Sequence, residues 1–323
     1  MDYLIYGAGA VGLGLGSCLL AAGERVRFLA RPHTVAALQR HGLVRTGLFG
    51  EYRTTADRFA AGTALEELSP TPADWVFVAT KSFDSEAAAE LLSAAPAIVG
   101  DKTQILLCQN GWGNAELFAA RFPPFRIWNA RIITGFHRRE SHHVEVTVHA
   151  QAIHLGSLFQ QDVKTLEPVA RAIAAGGIPC ETSPDIAADL WAKLLYNNCL
   201  NALSAIFRVP YGALGESLHG RRLMQQLAEE TFAVMQAAGY RTHWNTAQKF
   251  LAAFYNKLLP PTAQHESSTL QDLRDGRRTE IGALNGAVVS LGKSLDVSVP
   301  INRAVVDMIQ FLEAKALSSL QNS

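Results

Sequence analysis

Three glycines near the start of the chain restrict its fold more than any other feature. Gly7, Gly9 and Gly12 form GxGxxG directly after the short apolar run at residues 4–6 and at the opening of a helical pattern over 11–22. A strand that turns sharply into a helix needs one residue without Cβ at the turn. It needs a second where a ligand's phosphates approach the backbone and a third where helix packs on strand. The helix N-terminus adds N–H groups without intrahelical acceptors and a positive potential. Gly7, Ala8, Gly9, Ala10, Val11 and Gly12 are therefore expected to cradle a dinucleotide.

The residues that follow fit such a turn. Short apolar or β-branched runs at 25–30, 75–80, 104–108 and 126–132 alternate with alanine-rich helical patterns such as 84–93. That alternation is the signature of βαβ units, whose right-handed crossovers place helices on both faces of a parallel sheet. Residues 144–156 turn strand-like again and 161–175 read as a further helix, after which Gly176–Asp185 gathers glycines and prolines. Beyond it the segments 186–207, 218–238, 246–257, 279–295 and 303–317 carry helical periodicity. The fold class expected is α/β: an N-terminal Rossmann-type doubly wound parallel sheet over residues 1–184, followed by a mostly α-helical domain over 185–323.

Composition narrows the function. Lysine plus arginine and aspartate plus glutamate each number 29, so no global field attracts nucleic acid or acidic lipid, and neither is an expected partner. Cys18, Cys108, Cys180 and Cys199 are scattered without a CxxC pair, and no basic segment precedes a long apolar stretch at the N-terminus. A reducing, cytoplasmic setting follows, with no membrane association. His137, His142, His143, His149 and His154 lie close together, but their spacing matches no metal-ligand pattern, so no metal is expected. No GxSxG elbow supports a hydrolase.

The second strand ends at Arg31, where an NAD site would usually offer a carboxylate to the ribose diol. A guanidinium there suits a 2′-phosphate, so NADPH is the expected cofactor; a solvated loop arginine is the bland reading. Lys81 and Asn110 both follow strands at the ends where open α/β sheets place ligands. Asn110 can donate and accept at once, and Asn110-Gly111 is also an ordinary turn signal. In WAKLLYNNCLN, Lys193, Asn197 and Asn201 recur every fourth residue and so share a helix face, with apolar neighbours on the others. A lysine in such surroundings is costly unless it is paired or works as an acid or base; a solvent-facing stripe is the bland reading. The segment SSTLQDLRDGRRTE, residues 267–280, reads by itself as a solvated loop with a carboxylate at the head of an apolar helix.

Taken together, the GxGxxG turn, Arg31, Lys81, Gln109-Asn110-Gly111, WxKLxxNxxxN and SSxLQDLRxGRxTE resemble, in that order and across nearly the whole chain, the ketopantoate reductase (2-dehydropantoate 2-reductase) family. The resemblance implies NADPH-dependent reduction of ketopantoate to pantoate, a step toward pantothenate. Lys193 would be the proton donor, and Asn110, Asn197, Asn201 and Ser268 would hold the substrate. Glu280 would sit beside cofactor and lysine, and Asn110 would touch the cofactor as well.

Three stretches depart from the family pattern. Tyr211-Gly212 stands where Asn-Gly is common, Gly282 where an aspartate is usual, and His149-Ala150-Gln151 where glycines precede HxG. The Tyr211 change motivates one alternative, a reductase of another bulky 2-oxo acid or an imine. A second alternative is a non-catalytic NADPH-binding regulatory module, against which the retention of Lys193, Asn197, Asn201, Ser268 and Glu280 argues. Apolar faces of the helical half could pair across a two-fold axis into a homodimer.

Overall fold

Residues 2–6 show how the first half of the chain is built. In β1 (Asp2–Tyr6), Tyr3 and Ile5 enter one apolar cluster and Leu4 the other, all fully buried. Successive side chains of a strand face opposite ways, so this strand belongs to a sheet covered on both sides.

The structure is a computed structural model that describes residues 1–321, with side chains to residue 316. Its packing divides the chain into two units: Met1–Gln109 with Asn114–Ile186, and Asn110–Gly113 with Ala187–Ser323.

The first unit holds twelve strands. After β1 come β2 (Arg25–Leu29), β3 (Leu43–Gly47), β4 (Tyr52–Thr54), β5 (Ala60–Gly62), β6 (Trp75–Val78), β7 (Gln104–Leu107), β8 (Ile127–Arg131), β9 (Thr134–Glu140), β10 (His143–His149), β11 (Ile153–Gly156) and β12 (Cys180–Thr182). Eight form one sheet in the order β12-β11-β8-β7-β6-β1-β2-β5, parallel throughout except for the β8–β11 pair. This is the α/β class with a parallel-rich, doubly wound sheet. Its helices are α1 (Ala10–Ala21), α2 (Pro32–His41), α3 (Ser85–Ser93), α4 (Asn114–Ala119) and α5 (Glu167–Ala175). Buried residues of α1 and α5 join the cluster on one face, and those of α3 and α4 join the cluster on the other.

A smaller sheet, β4-β3-β10-β9, packs against α1 as well. The sequence reading has no counterpart for it. Residues 144–156 read as one strand-like stretch, whereas the chain breaks between β10 and β11 and sends the two pieces to different sheets. The closeness of α1 to its neighbours explains its glycines. A Cβ on Gly14 would lie 2.3 Å from the Phe136 ring, and one on Gly16 would lie 2.5 Å from the Phe28 ring. A helix packed on two sides at such distances can carry no side chain there.

The second unit contains the helices α6 (Ile186–Phe207), α7 (Tyr211–Glu216), α8 (Leu218–Ala237), α9 (Ala247–Ala253), α10 (Ser268–Arg274), α11 (Asn285–Ser294) and α12 (Pro300–Gln321). Two departures from the helical pattern matter for function. The expected helix over 279–295 begins only at Asn285, and Glu280 lies in a preceding turn in which its carbonyl accepts from the N–H groups of Ala283 and Leu284. The segment read as a solvated loop contains α10, whose N-cap Ser267 accepts from the Leu270 N–H at 3.0 Å. Helix α12 starts at Pro300, three residues before the expected position, because Glu230 of α8 accepts from the N–H groups of Ile301 and Asn302 at 2.9 Å each. Among the described residues no helix is long and apolar enough to cross a membrane.

Candidate active site

In the first unit the glycine turn follows β1. Gly7 has φ +100°, and a Cβ there would lie 2.8 Å from the Thr80 N, so only glycine fits. Gly12 is closed in the same way, its would-be Cβ lying 2.0 Å from the Gly7 carbonyl oxygen. Gly9 is different. It is the N-cap of α1, and a Cβ added to it would meet nothing within 4 Å. Packing thus accounts for Gly7 and Gly12 but not for Gly9. The open space over the first turn of α1, beside N–H groups that no preceding helical turn can satisfy, fits the pyrophosphate of a dinucleotide.

Arg31 is exposed at the N-cap of α2, two residues after the end of β2. Lys81 is half-buried after β6, where its carbonyl oxygen accepts from Gln109 Nε2 at 3.3 Å. Gln109 Nε2 also donates to Ser85 Oγ at 2.8 Å, and Ser85 Oγ donates to Asn114 Oδ1 at 2.8 Å. These bonds tie the segment after β7 to the segment after β6 and to the starts of α3 and α4, on both sides of the turn that carries Asn110.

In the second unit three segments far apart in sequence meet. Lys193 Nζ on α6 donates to Asn110 Oδ1 at 2.5 Å, and Asn110 Nδ2 donates to Glu280 Oε2 at 3.2 Å. Charge fixes this amide's orientation: the oxygen must face the ammonium and the NH2 the carboxylate. The loop is pinned by more than these two bonds. Gly111 has φ +87°, and its would-be Cβ would lie 2.2 Å from the Ala283 oxygen, while the Trp112 N–H donates to that oxygen at 2.9 Å. The Trp112 ring lies 4.7 Å from that of Trp191 and 4.8 Å edge-on from that of Tyr240.

Asn197 is half-buried on the face of α6 that carries Lys193. Asn201 is buried at the far end of this stripe and accepts from Tyr211 Oη at 2.7 Å. Ser268 is exposed at the first position of α10, whereas its neighbour Ser267 is buried and donates to the Asn201 carbonyl oxygen at 2.9 Å. Thus Asn110, Lys193 and Glu280 form one hydrogen-bonded series, and Asn201 belongs to another with Tyr211 and Ser267. Gly282 lies in the exposed turn after Glu280 rather than on a helix.

Residues 3–160 match the family model described as ketopantoate reductase PanE/ApbA, and residues 185–313 match its C-terminal model. A 2-dehydropantoate 2-reductase of Aquifex aeolicus is 35% identical over 100% of this chain and 99% of its own length. The chain belongs to the ketopantoate reductase family. A PanE/ApbA family ketopantoate reductase from Ralstonia eutropha JMP134 superimposes with TM-score 0.85 at 30% identity, covering 98% of this chain and 99% of that one. The ternary structure of D-mandelate dehydrogenase with NADH and anilino(oxo)acetate has TM-score 0.86 at 20% identity, covering 98% and 99%, which shows the fold alone.

For this family member, the sequence reading missed what holds the loop that carries Asn110. Trp112, Trp191 and Tyr240 are not singled out by it, and Tyr211 reads as a departure from the family pattern that points to another substrate. Tyr211 is instead 4% exposed, with its hydroxyl bonded to Asn201. No signal in one sequence separates an aromatic that anchors a functional loop from one that fills a core.

Proposed function

We propose that this chain is an NADPH-dependent 2-dehydropantoate 2-reductase that converts ketopantoate to pantoate, with residues 1–184 holding the cofactor and 185–323 the substrate. The observation that carries the reading is the series from Lys193 through Asn110 to Glu280, in a chain that follows a curated 2-dehydropantoate 2-reductase along its full length. Gly7, Ala8, Gly9, Ala10, Val11 and Gly12 would hold the pyrophosphate through backbone N–H groups. Arg31 would form a bidentate contact to the 2′-phosphate, with Lys81 adding charge. NADPH, when bound, supplies the hydride. As the oxo carbon is reduced, negative charge grows on its oxygen. The ammonium of Lys193 stabilises that charge and gives the oxygen a proton, which completes the hydroxyl. Asn110 holds Nζ in place before the transfer, and Glu280 holds Asn110. Asn197, Asn201 and Ser268 would bind the carboxylate and hydroxyl of the substrate.

The reading also carries a cytoplasmic setting, consistent with four free cysteines, and pairing of two copies through the helical half. The test is a panel of ketopantoate and other 2-oxo acids, each with NADPH and NADH. Ketopantoate with NADPH should give the highest kcat/KM, and Arg31→Ala should raise KM for NADPH about tenfold or more while sparing NADH. A different 2-oxo acid turned over well beside negligible ketopantoate activity would reject the substrate, and equal use of NADH would reject the cofactor.

A further inference from the structure

Asn201 stands eight residues beyond Lys193 on α6, about 12 Å along the helix. Its Oδ1 accepts the Tyr211 hydroxyl at 2.7 Å. Tyr211 opens α7 directly after Pro210 and is buried. Its ring lies 6.1 Å edge-on from that of Tyr196 and 5.3 Å from that of His265. Its N–H donates to the His265 carbonyl oxygen at 3.1 Å, and the Gly212 N–H donates to the Ala263 oxygen at 2.8 Å. Burial pushes the phenol up from its ordinary pKa, with neighbouring Tyr196 adding to the effect, so it keeps its proton and remains a donor. The Asn201 backbone is fixed as well, through its carbonyl oxygen and Ser267 Oγ at 2.9 Å.

With the phenol hydroxyl on Oδ1, the amide plane is oriented and its other edge presents the NH2 group as a donor. We propose that Tyr211 is a positioning residue for substrate selection: by holding Asn201 Oδ1 it turns Nδ2 toward the substrate as a fixed donor. The acceptor would be a hydroxyl oxygen carried beyond the oxo carbon of a 2-oxo acid. Lys193, at the other end of the stripe, addresses the oxo group. The carboxylate is bonded directly to the oxo carbon, whereas the 4-hydroxyl of ketopantoate lies two carbons beyond it and extends toward the far end. The substrate class selected is therefore the hydroxylated 2-oxo acids over their deoxy analogues. This inference rests on the reductase reading for the identity of the ligand.

The experiment compares ketopantoate with 3,3-dimethyl-2-oxobutanoate, which lacks the hydroxyl, for the wild type, Tyr211→Phe, Asn201→Ala and the double variant, all with NADPH. Tyr211→Phe should raise KM for ketopantoate about three- to tenfold, the range of one hydrogen bond, with kcat and the KM of the analogue within about twofold. In the Asn201→Ala background it should have no further effect, because Tyr211 acts through Asn201. Should Tyr211→Phe fail to fold, Asn201→Asp keeps the acceptor for the phenol and removes the donor, and it should penalise ketopantoate more than the analogue. Multiplying single effects, or equal losses on both substrates, would overturn the proposal. A wild type that turns over ketopantoate beside a silent Tyr211→Phe would overturn it alone, whereas a wild type inert toward ketopantoate would reject the reductase reading and this proposal together.

Discussion

Lys193 Nζ bonds to Asn110 Oδ1 at 2.5 Å across 83 residues of sequence. The lysine lies on a long helix, and the asparagine lies in the six-residue loop between β7 and α4, whose residues 110–113 pack with the second unit. Placement of the ammonium therefore depends on how firmly that loop is held.

Gly111 tests the holding. An alanine there must adopt φ +87° and press its Cβ against the Ala283 oxygen. Gly111→Ala should lower kcat on the order of a hundredfold, as expected when a reacting group moves by about 1 Å, while NADPH affinity stays near wild type. Unchanged kcat would mean that Asn110 does not position Lys193.

The glycine turn separates fold from ligand. Gly12→Ala should lose several degrees of melting temperature, because its Cβ would collide with the Gly7 carbonyl oxygen. Gly9→Ala meets nothing within 4 Å and should melt like the wild type, yet its Kd for NADPH should rise about tenfold or more. Calorimetry with and without NADPH reads both quantities. A Gly9→Ala protein that binds NADPH normally would remove the phosphate from that space.

His33, His142, His149 and His265 all lie below the ordinary imidazole value, and His142 and His149 serve as the test. Burial holds His142 below the ordinary imidazole value, opposed by Glu140 and assisted by His41, His143 and Arg53. Burial and Arg131 hold His149 below it too. The unfolded chain then binds protons first, so stability is fully present above the unfolded value, about 6.5, and declines as pH falls through that value toward the folded ones. The melting temperature should drop between about pH 7 and pH 5, and less steeply in the variant carrying His142→Gln and His149→Gln. An identical slope in that variant would assign the acid loss to other groups.

Much of this was legible because the chemistry is periodic. The alternation of short apolar runs with alanine-rich stretches marks the parallel sheet. The spacing of Lys193, Asn197 and Asn201 puts them on one face of α6. What was not legible depends on contacts between remote residues. Glu280 looked like a helical residue because the apolar pattern that follows it extends back to Thr279, yet the helix starts at Asn285. The buried Asn285 donates to Asn302 Oδ1 at 3.0 Å, a partner that no local pattern announces. The small sheet was hidden because its short strands carry Arg45, Thr46 and Glu145 among their apolar residues. Tyr211 was read by its size alone, and its partner decides what it does.

The most direct measurement is turnover of ketopantoate with NADPH by the wild type and Lys193→Ala in one assay, with NADPH binding measured alongside. The expected result is loss of kcat by about 10²–10⁴-fold in the variant, the usual contribution of a positioned acid, with NADPH affinity within about twofold of wild type. A Lys193→Ala protein that reduces ketopantoate at the wild-type rate would contradict the assignment of the proton donor and the account built on it.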